Sequence, residues 1–89
     1  MDFEWDSKKA AENQSKHDVS FEEATEVFGD ELSSTVPDPD HSIDEERFVI
    51  FGRTREGKYL VAGFTERDGR IRLITARPMT RRERSAYEQ

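Results

Sequence analysis

The chain has 89 residues, no cysteine and a formal net charge of −6. That length holds one domain around one core, residues 1–89, and the missing thiols exclude disulfides, thiol nucleophiles and thiolate zinc sites. No apolar run approaches the roughly 18 residues of a membrane span, and the opening MDFEWDSKK lacks the basic-then-apolar pattern of a signal peptide, so a soluble protein of the cytoplasm is expected.

The chain opens with a short apolar–polar alternation, Phe3-Glu4-Trp5, which predicts a strand. Asp6 is placed to cap a helix running through about His17. Val19-Ser20 breaks it, and Ser20 with Glu23 forms an S-x-x-E capping box that opens a second helix. Phe21, Ala24 and Phe28 fall on one face of that helix, Val27 widens it, and Gly29 ends it. From Glu31 to Glu46 the chain is acidic, holds two prolines and shows no period, which predicts an exposed loop.

Three strands are expected next, over 47–53, 58–65 and 70–77, joined by turns at Arg55-Glu56-Gly57 and Arg67-Asp68-Gly69. Asp-Gly is a strong hairpin signal. Pro78 stops the last strand, and Thr80 with Glu83 makes a second capping box for a helix reaching the C-terminus. The predicted fold is a single small α+β domain in the order β-α-α-β-β-β-α, an antiparallel sheet packed by helices. Leu, Ile, Val and Phe number only 18 of the 89 residues, so the core is expected from three dense runs, Phe48–Phe51, Tyr59–Phe64 and Ile71–Ile74.

The charges divide sharply. Met1–Glu46 holds 3 Lys/Arg against 15 Asp/Glu, and Arg47–Gln89 holds 11 against 5, so a formal −12 adjoins a +6. Ten of the eleven late cations are arginine, the side chain whose planar fork grips two phosphate oxygens at once. Nucleic acid or another anionic partner is one reading of this half; mutual neutralisation of the two halves is the other.

Arg70 and Arg72 lie two apart on the last expected strand and share a face with Ile74 and Ala76, while Ile71, Leu73 and Thr75 take the other. Strict alternation sends Arg77 to the core side, so it must emerge at an edge or be turned by a bulge near Pro78. Arg81, Arg82 and Arg84 could flank the arginine face from the terminal helix.

Histidine ordinarily titrates near neutrality, which makes His17 a candidate for proton transfer or, more blandly, a residue that contacts the last helical carbonyls. His41 lies among Asp38, Asp40, Asp44 and Glu45, but Ile43 occupies the position where a calcium loop needs glycine. A solvated loop is expected there, and no metal or other cofactor. Trp5, Tyr59, Phe64 and Tyr87 could stack on bases; for Trp5 and Phe64 core packing is expected, and the Tyr87 hydroxyl could reach phosphate.

An ordered set of motifs resembles the BrnT family: FEWD (Phe3–Asp6), KH-x-V-S-F-E-E-A (Lys16–Ala24), Val27-Phe28, PDPDHS…EERF (Pro37–Phe48), TER (Thr65–Arg67), IR-x-I-x-AR (Ile71–Arg77) and TRRER…YE (Thr80–Glu88). Members are toxins of bacterial type II toxin–antitoxin pairs with a RelE-like ribonuclease fold. The resemblance implies metal-independent cleavage of RNA, with Arg67 and Arg77 stabilising the transition state and His17 transferring protons. Arg70, Arg72, Arg81 and Tyr87 would hold RNA, and Glu45, Glu46 and Arg47, which also match a family motif, are expected as positioning or structural residues. It further implies a BrnA-like ribbon-helix-helix antitoxin as partner, with operator DNA bound only through the complex and no membrane involved. A competing expectation is a non-catalytic module or corepressor whose arginine face serves its protein partner alone. Three positions depart from the family pattern: Asp18 stands where a glycine usually follows the KH pair, Pro78-Met79 follows Arg77 where the family often has another basic residue, and Gly63 interrupts a strand that is usually apolar.

Overall fold

The computed structural model describes residues 1–38 and 45–89. The solvated loop expected around His41, with Asp40, Ile43 and Asp44, lies outside them.

Asp6 caps the first helix as expected: its carboxylate accepts hydrogen bonds from the backbone N–H groups of Lys8 and Lys9 at 2.8 and 3.1 Å, and helix α1 spans Ser7–His17. Asp18 ends it with φ 56°, the left-handed conformation that glycine adopts at little cost. The Ser20/Glu23 capping box opens a single α-turn, α2 (Phe21–Ala24), and the chain then tightens into a 3-10 helix over Thr25–Gly29. The Thr80/Glu83 box opens the last helix, α3 (Arg81–Tyr87).

Five strands form one sheet: β1 (Phe3–Glu4), β2 (Ser34–Pro37), β3 (Arg47–Arg53), β4 (Tyr59–Arg67) and β5 (Arg70–Pro78), in the spatial order β1-β5-β4-β3-β2. The α+β class holds, with two corrections. The sheet is mixed, because β1 lies parallel to β5. Within the expected loop of 31–46, residues 34–37 instead form an edge strand against β3. All four are exposed, so no hydrophobic alternation marks them. Pro37 is tolerated because its position in the ladder points away from β3: the neighbouring Asp38 N–H is the one that bonds Arg47 C=O, at 2.8 Å. Asp68 and Gly69 both take positive φ, 53° and 76°, forming the two-residue turn that an Asp-Gly pair favours.

One face of the sheet packs under α1, α2 and the 3-10 helix. Phe21, Ala24, Val27, Ile50, Leu60, Ala62, Phe64, Leu73 and Ala76 form its core, and edge-on or stacked rings run from Phe3 through Phe28 and Phe64 to Phe48 at centroid spacings of 5.0–5.6 Å. Trp5 packs edge-on against Phe21 from the margin of that core. Gly52 is required by close approach, since a Cβ there would stand 2.8 Å from the Val27 Cβ and 3.0 Å from its carbonyl oxygen.

The β4–β5 register slips at one point: Gly63 faces Thr75 but Phe64 faces Leu73, leaving Ile74 unmatched. This bulge changes the phase of β5, so that Leu73 and Ala76, three apart, both enter the core. Arg72 and Ala76 therefore lie on opposite faces, where strict alternation predicted a shared one. Arg77 avoids the core by virtue of this bulge, four residues before Pro78, instead of one beside it.

Candidate functional site

The second face of the sheet follows from that register. Direct cross-strand partners share a side, so Arg67 with Arg70, then Arg47 with Thr65 and Arg72, then Val49 with Gly63 and Thr75, then Phe51 with Val61 and Arg77, line up in successive rows opposite the core. The bulge puts Arg77 on the same side as Arg70 and Arg72. Helix α3 covers the far end: the Tyr87 ring meets Tyr59 edge-on at 5.7 Å, and the Arg84 guanidinium lies over the Tyr59 ring at 4.0 Å.

Most of these arginines are held by carboxylates of the chain itself. Arg77 meets Glu83 fork to fork at 2.7 and 2.8 Å. That pairing is the main reason the Glu83 carboxyl is drawn down to about 2. Arg72 bonds Glu4 at 2.9 Å, holding the Glu4 carboxyl below its ordinary value, and Arg70 reaches the other Glu4 oxygen at 3.6 Å. Arg67 donates to Glu45 at 2.9 and 3.2 Å. All four guanidinium groups remain partly solvent-accessible, so each ion pair is a surface pair, worth about 1 kcal/mol or less. A bidentate phosphate can compete for such an arginine. Arg81 is exposed at the start of α3 and forms no ion pair among the described residues.

His17 does not join this face. It lines a separate cleft of about 430 Å³ at the end of the sheet, with Lys58, Tyr59, Pro78, Met79 and Arg84. Along β5, Arg70 and Arg77 are separated by roughly 20 Å at about 3.3 Å per residue, so Arg67 and Arg70 stand at one end and Arg77 towards the other, with His17 past Pro78. Tyr87 is half-buried and its hydroxyl donates to the Asp30 carboxylate. Burial, reinforced by that bond, pushes its phenol up to about 12. Its hydroxyl therefore anchors α3 to the end of the 3-10 helix.

Sequence reasoning missed the carboxylates Glu4, Glu45 and Glu83 as arginine partners, and missed the company His17 keeps. Only Glu83 carried a local signal, through its capping box. Among the described residues no three His, Asp or Glu side chains cluster as metal ligands, and no helix is long and apolar enough to cross a membrane.

A mixed five-stranded sheet with α1 and α2 on one face, and rows of arginine and α3 on the other, defines a small α+β domain. Residues 5–83 match the family described as "Ribonuclease toxin, BrnT, of type II toxin-antitoxin system", and the chain belongs to that family. The fold is similar to the 1.1 Å crystal structure of the Brucella abortus ribonuclease toxin BrnT, with a TM-score of 0.72 at 18% identity, covering 91% of this chain and 99% of that one. No curated protein matches the chain in sequence.

Proposed function

We propose that this chain is a cytoplasmic endoribonuclease toxin that cuts RNA without a metal ion and is neutralised by a ribbon-helix-helix antitoxin of the BrnA kind. The observation that carries the reading is the shared face of Arg67, Arg70, Arg72 and Arg77, which the bulge at Ile74 makes possible. Cleavage through the ribose requires the 2′-hydroxyl to attack the adjacent phosphorus as the 5′-oxygen leaves. One proton must be removed, another supplied, and the charge on the phosphoryl oxygens stabilised. In this reading Arg77, the nearer to the His17 cleft, takes the last task and His17 transfers a proton. Arg67, expected to share the charge, stands roughly 20 Å from Arg77 at about 3.3 Å per residue and joins Arg70, Arg72 and Arg81 in holding the flanking backbone. A strand following the face from Arg67 to Arg77 reaches the His17 cleft after passing Pro78, where Lys58 and Arg84 continue the cationic track. Tyr87 serves RNA indirectly, by seating α3.

A second reading has support of its own. Because Glu4, Glu45 and Glu83 already occupy the arginines, the face could serve only a protein partner that brings carboxylates, with no chemistry. In the nuclease reading the same antitoxin would cover the face, and operator DNA would be contacted only through the complex.

Inducible expression separates the two. The nuclease reading expects growth arrest and RNA cleavage that persist in EDTA, both lost in Arg77→Ala and weakened in Arg67→Ala and His17→Ala, with antitoxin binding retained. RNA left intact by the unaltered chain at micromolar concentration, with the antitoxin still bound, selects the second.

A further inference from the structure

Resting on the ribonuclease reading above, we propose that the Gly63–Thr75 pair forms a ribose–phosphate subsite at the middle of the arginine face, with Thr75 as a substrate-positioning residue. A depression of about 100 Å³ lies there, its walls including Asp38, Arg47, Val49, Gly63 and Thr75. At ~30 Å³ per water it has the room of about three water molecules, enough for one phosphate or sugar and too little for a nucleotide.

The hollow exists because residue 63 has no side chain. A Cβ on Gly63 would stand 2.7 Å from the Thr75 Oγ1, so the bare backbone is what lets that hydroxyl lie across it. Thr75 is exposed on β5, between half-buried Ile74 and buried Ala76. It sits beside the bulge, between Arg72 and Arg77, each within roughly 7–10 Å along the strand at about 3.3 Å per residue. That is within reach of an arginine side chain. A phosphate held between the two guanidinium groups would rest against the Thr75 hydroxyl, which donates to a phosphoryl oxygen.

Asp38, on the opposite wall, fixes the direction of the strand. A carboxylate repels phosphate and accepts from a hydroxyl, so the sugar belongs on the Asp38 and Arg47 side and the phosphate on the β5 side. A ribose 2′-hydroxyl can donate to Asp38, and deoxyribose has nothing to offer there.

The test is fluorescence anisotropy with a short single-stranded RNA of mixed sequence and its DNA counterpart, alongside thermal melts of each variant. Thr75→Val is expected to weaken RNA binding about tenfold, the loss of one hydrogen bond to a charged group, while Thr75→Ser keeps it. Gly63→Ala should mimic Thr75→Val, because the new methyl would stand 2.7 Å from the Thr75 Oγ1 and force the hydroxyl out of its place. Asp38→Asn should narrow the preference for RNA over DNA. The subsite alone is overturned if Thr75→Val binds RNA as the unaltered chain does while Arg72→Ala does not. Should the unaltered chain neither bind nor cut RNA, the ribonuclease reading and the subsite fall together. If Gly63→Ala lowers the melting temperature, Thr75→Val decides.

Discussion

Asn13 and Ala76 are joined as partners in adjacent strands would be: the Asn13 carboxamide donates to the Ala76 carbonyl at 2.8 Å and accepts from the Ala76 N–H at 3.0 Å. The same amide group donates to the Val19 carbonyl at 3.0 Å. Strand β1 ends after two residues, and beyond it this one buried side chain satisfies the β5 edge while fastening α1 to the sheet.

Replacing Asn13 with alanine would leave the N–H and carbonyl of Ala76 and the carbonyl of Val19 without partners in the interior. Each unsatisfied buried group costs about 1–3 kcal/mol, so Asn13→Ala is expected to lower stability by about 3 kcal/mol. For a domain of this size that is a large share of the total. Urea unfolding followed by tryptophan fluorescence measures it; a loss under 1 kcal/mol would show that the edge finds other partners.

The Arg77–Glu83 pair has a definite pH signature. Glu83 titrates near 4.5 when unpaired and near 2 in the fold, so the folded state holds its proton less tightly than the unfolded chain. The stabilisation is therefore complete above pH 4.5 and drains away as pH falls towards 2. The Glu83 side chain is 24% exposed and that of Arg77 40%, so after allowance for solvent screening the pair contributes about 1 kcal/mol. Glu83→Gln should flatten the acid limb of a stability profile between pH 4.5 and 2. It should also tighten RNA binding at pH 7, by freeing Arg77 for phosphate. An RNA affinity that falls instead would mean Glu83 holds Arg77 in its working position.

Tyr87→Phe removes the hydroxyl that ties α3 to Asp30. Burial alone would raise the Asp30 carboxyl, but hydrogen bonds from Tyr87 and from the N–H groups of Leu32 and Arg53 outweigh it and hold it below its ordinary value. The variant should lose about 1–2 kcal/mol, the range for a hydrogen bond to a charged group. In the unaltered chain the bond favours the protonated phenol, so its contribution is present below about pH 10 and fades as pH climbs towards 12. Unfolding midpoints at pH 8 and 11 check this: the two proteins should differ at the first and converge towards the second.

Phosphate contacts release counterions, at a slope of about 0.7 per contact for single strands. Arg67→Ala, Arg72→Ala and Arg77→Ala should each lower the salt slope of RNA binding by about that amount, whereas Arg55→Ala, paired with Glu26 away from the arginine face, should leave it unchanged. Equal slopes for all four would disperse the site over the whole basic half.

Local chemistry was readable from the sequence, and pairing at a distance was not. The Asp6 cap, both capping boxes and the Asp68-Gly69 turn are settled by residues within three of each other, and they stand where they were expected. Strand β2 has no signal of its own, because four exposed residues become a strand only by lying against β3. The bulge at Ile74 depends on how β5 meets β4, which no property of β5 reveals. At the site, the arginines were legible from composition, but their partners were not: Glu4 lies 68 residues from Arg72 and Glu45 lies 22 from Arg67. Asn13, in a polar helix and 63 residues from Ala76, looked like any solvated amide.

The unmatched residue at Ile74 acts as a half-step in an otherwise even count. Everything after it, from Thr75 to the start of α3, arrives on the opposite side from where an unbroken ladder would deliver it. Were Ile74 instead paired with Gly63, Ala76 and Arg77 would swap between interior and solvent, forcing a guanidinium into the hydrocarbon and unseating the final helix. Whether that single residue is looped out or paired thus decides whether the arginines on either side of Thr75 can ever address the same molecule.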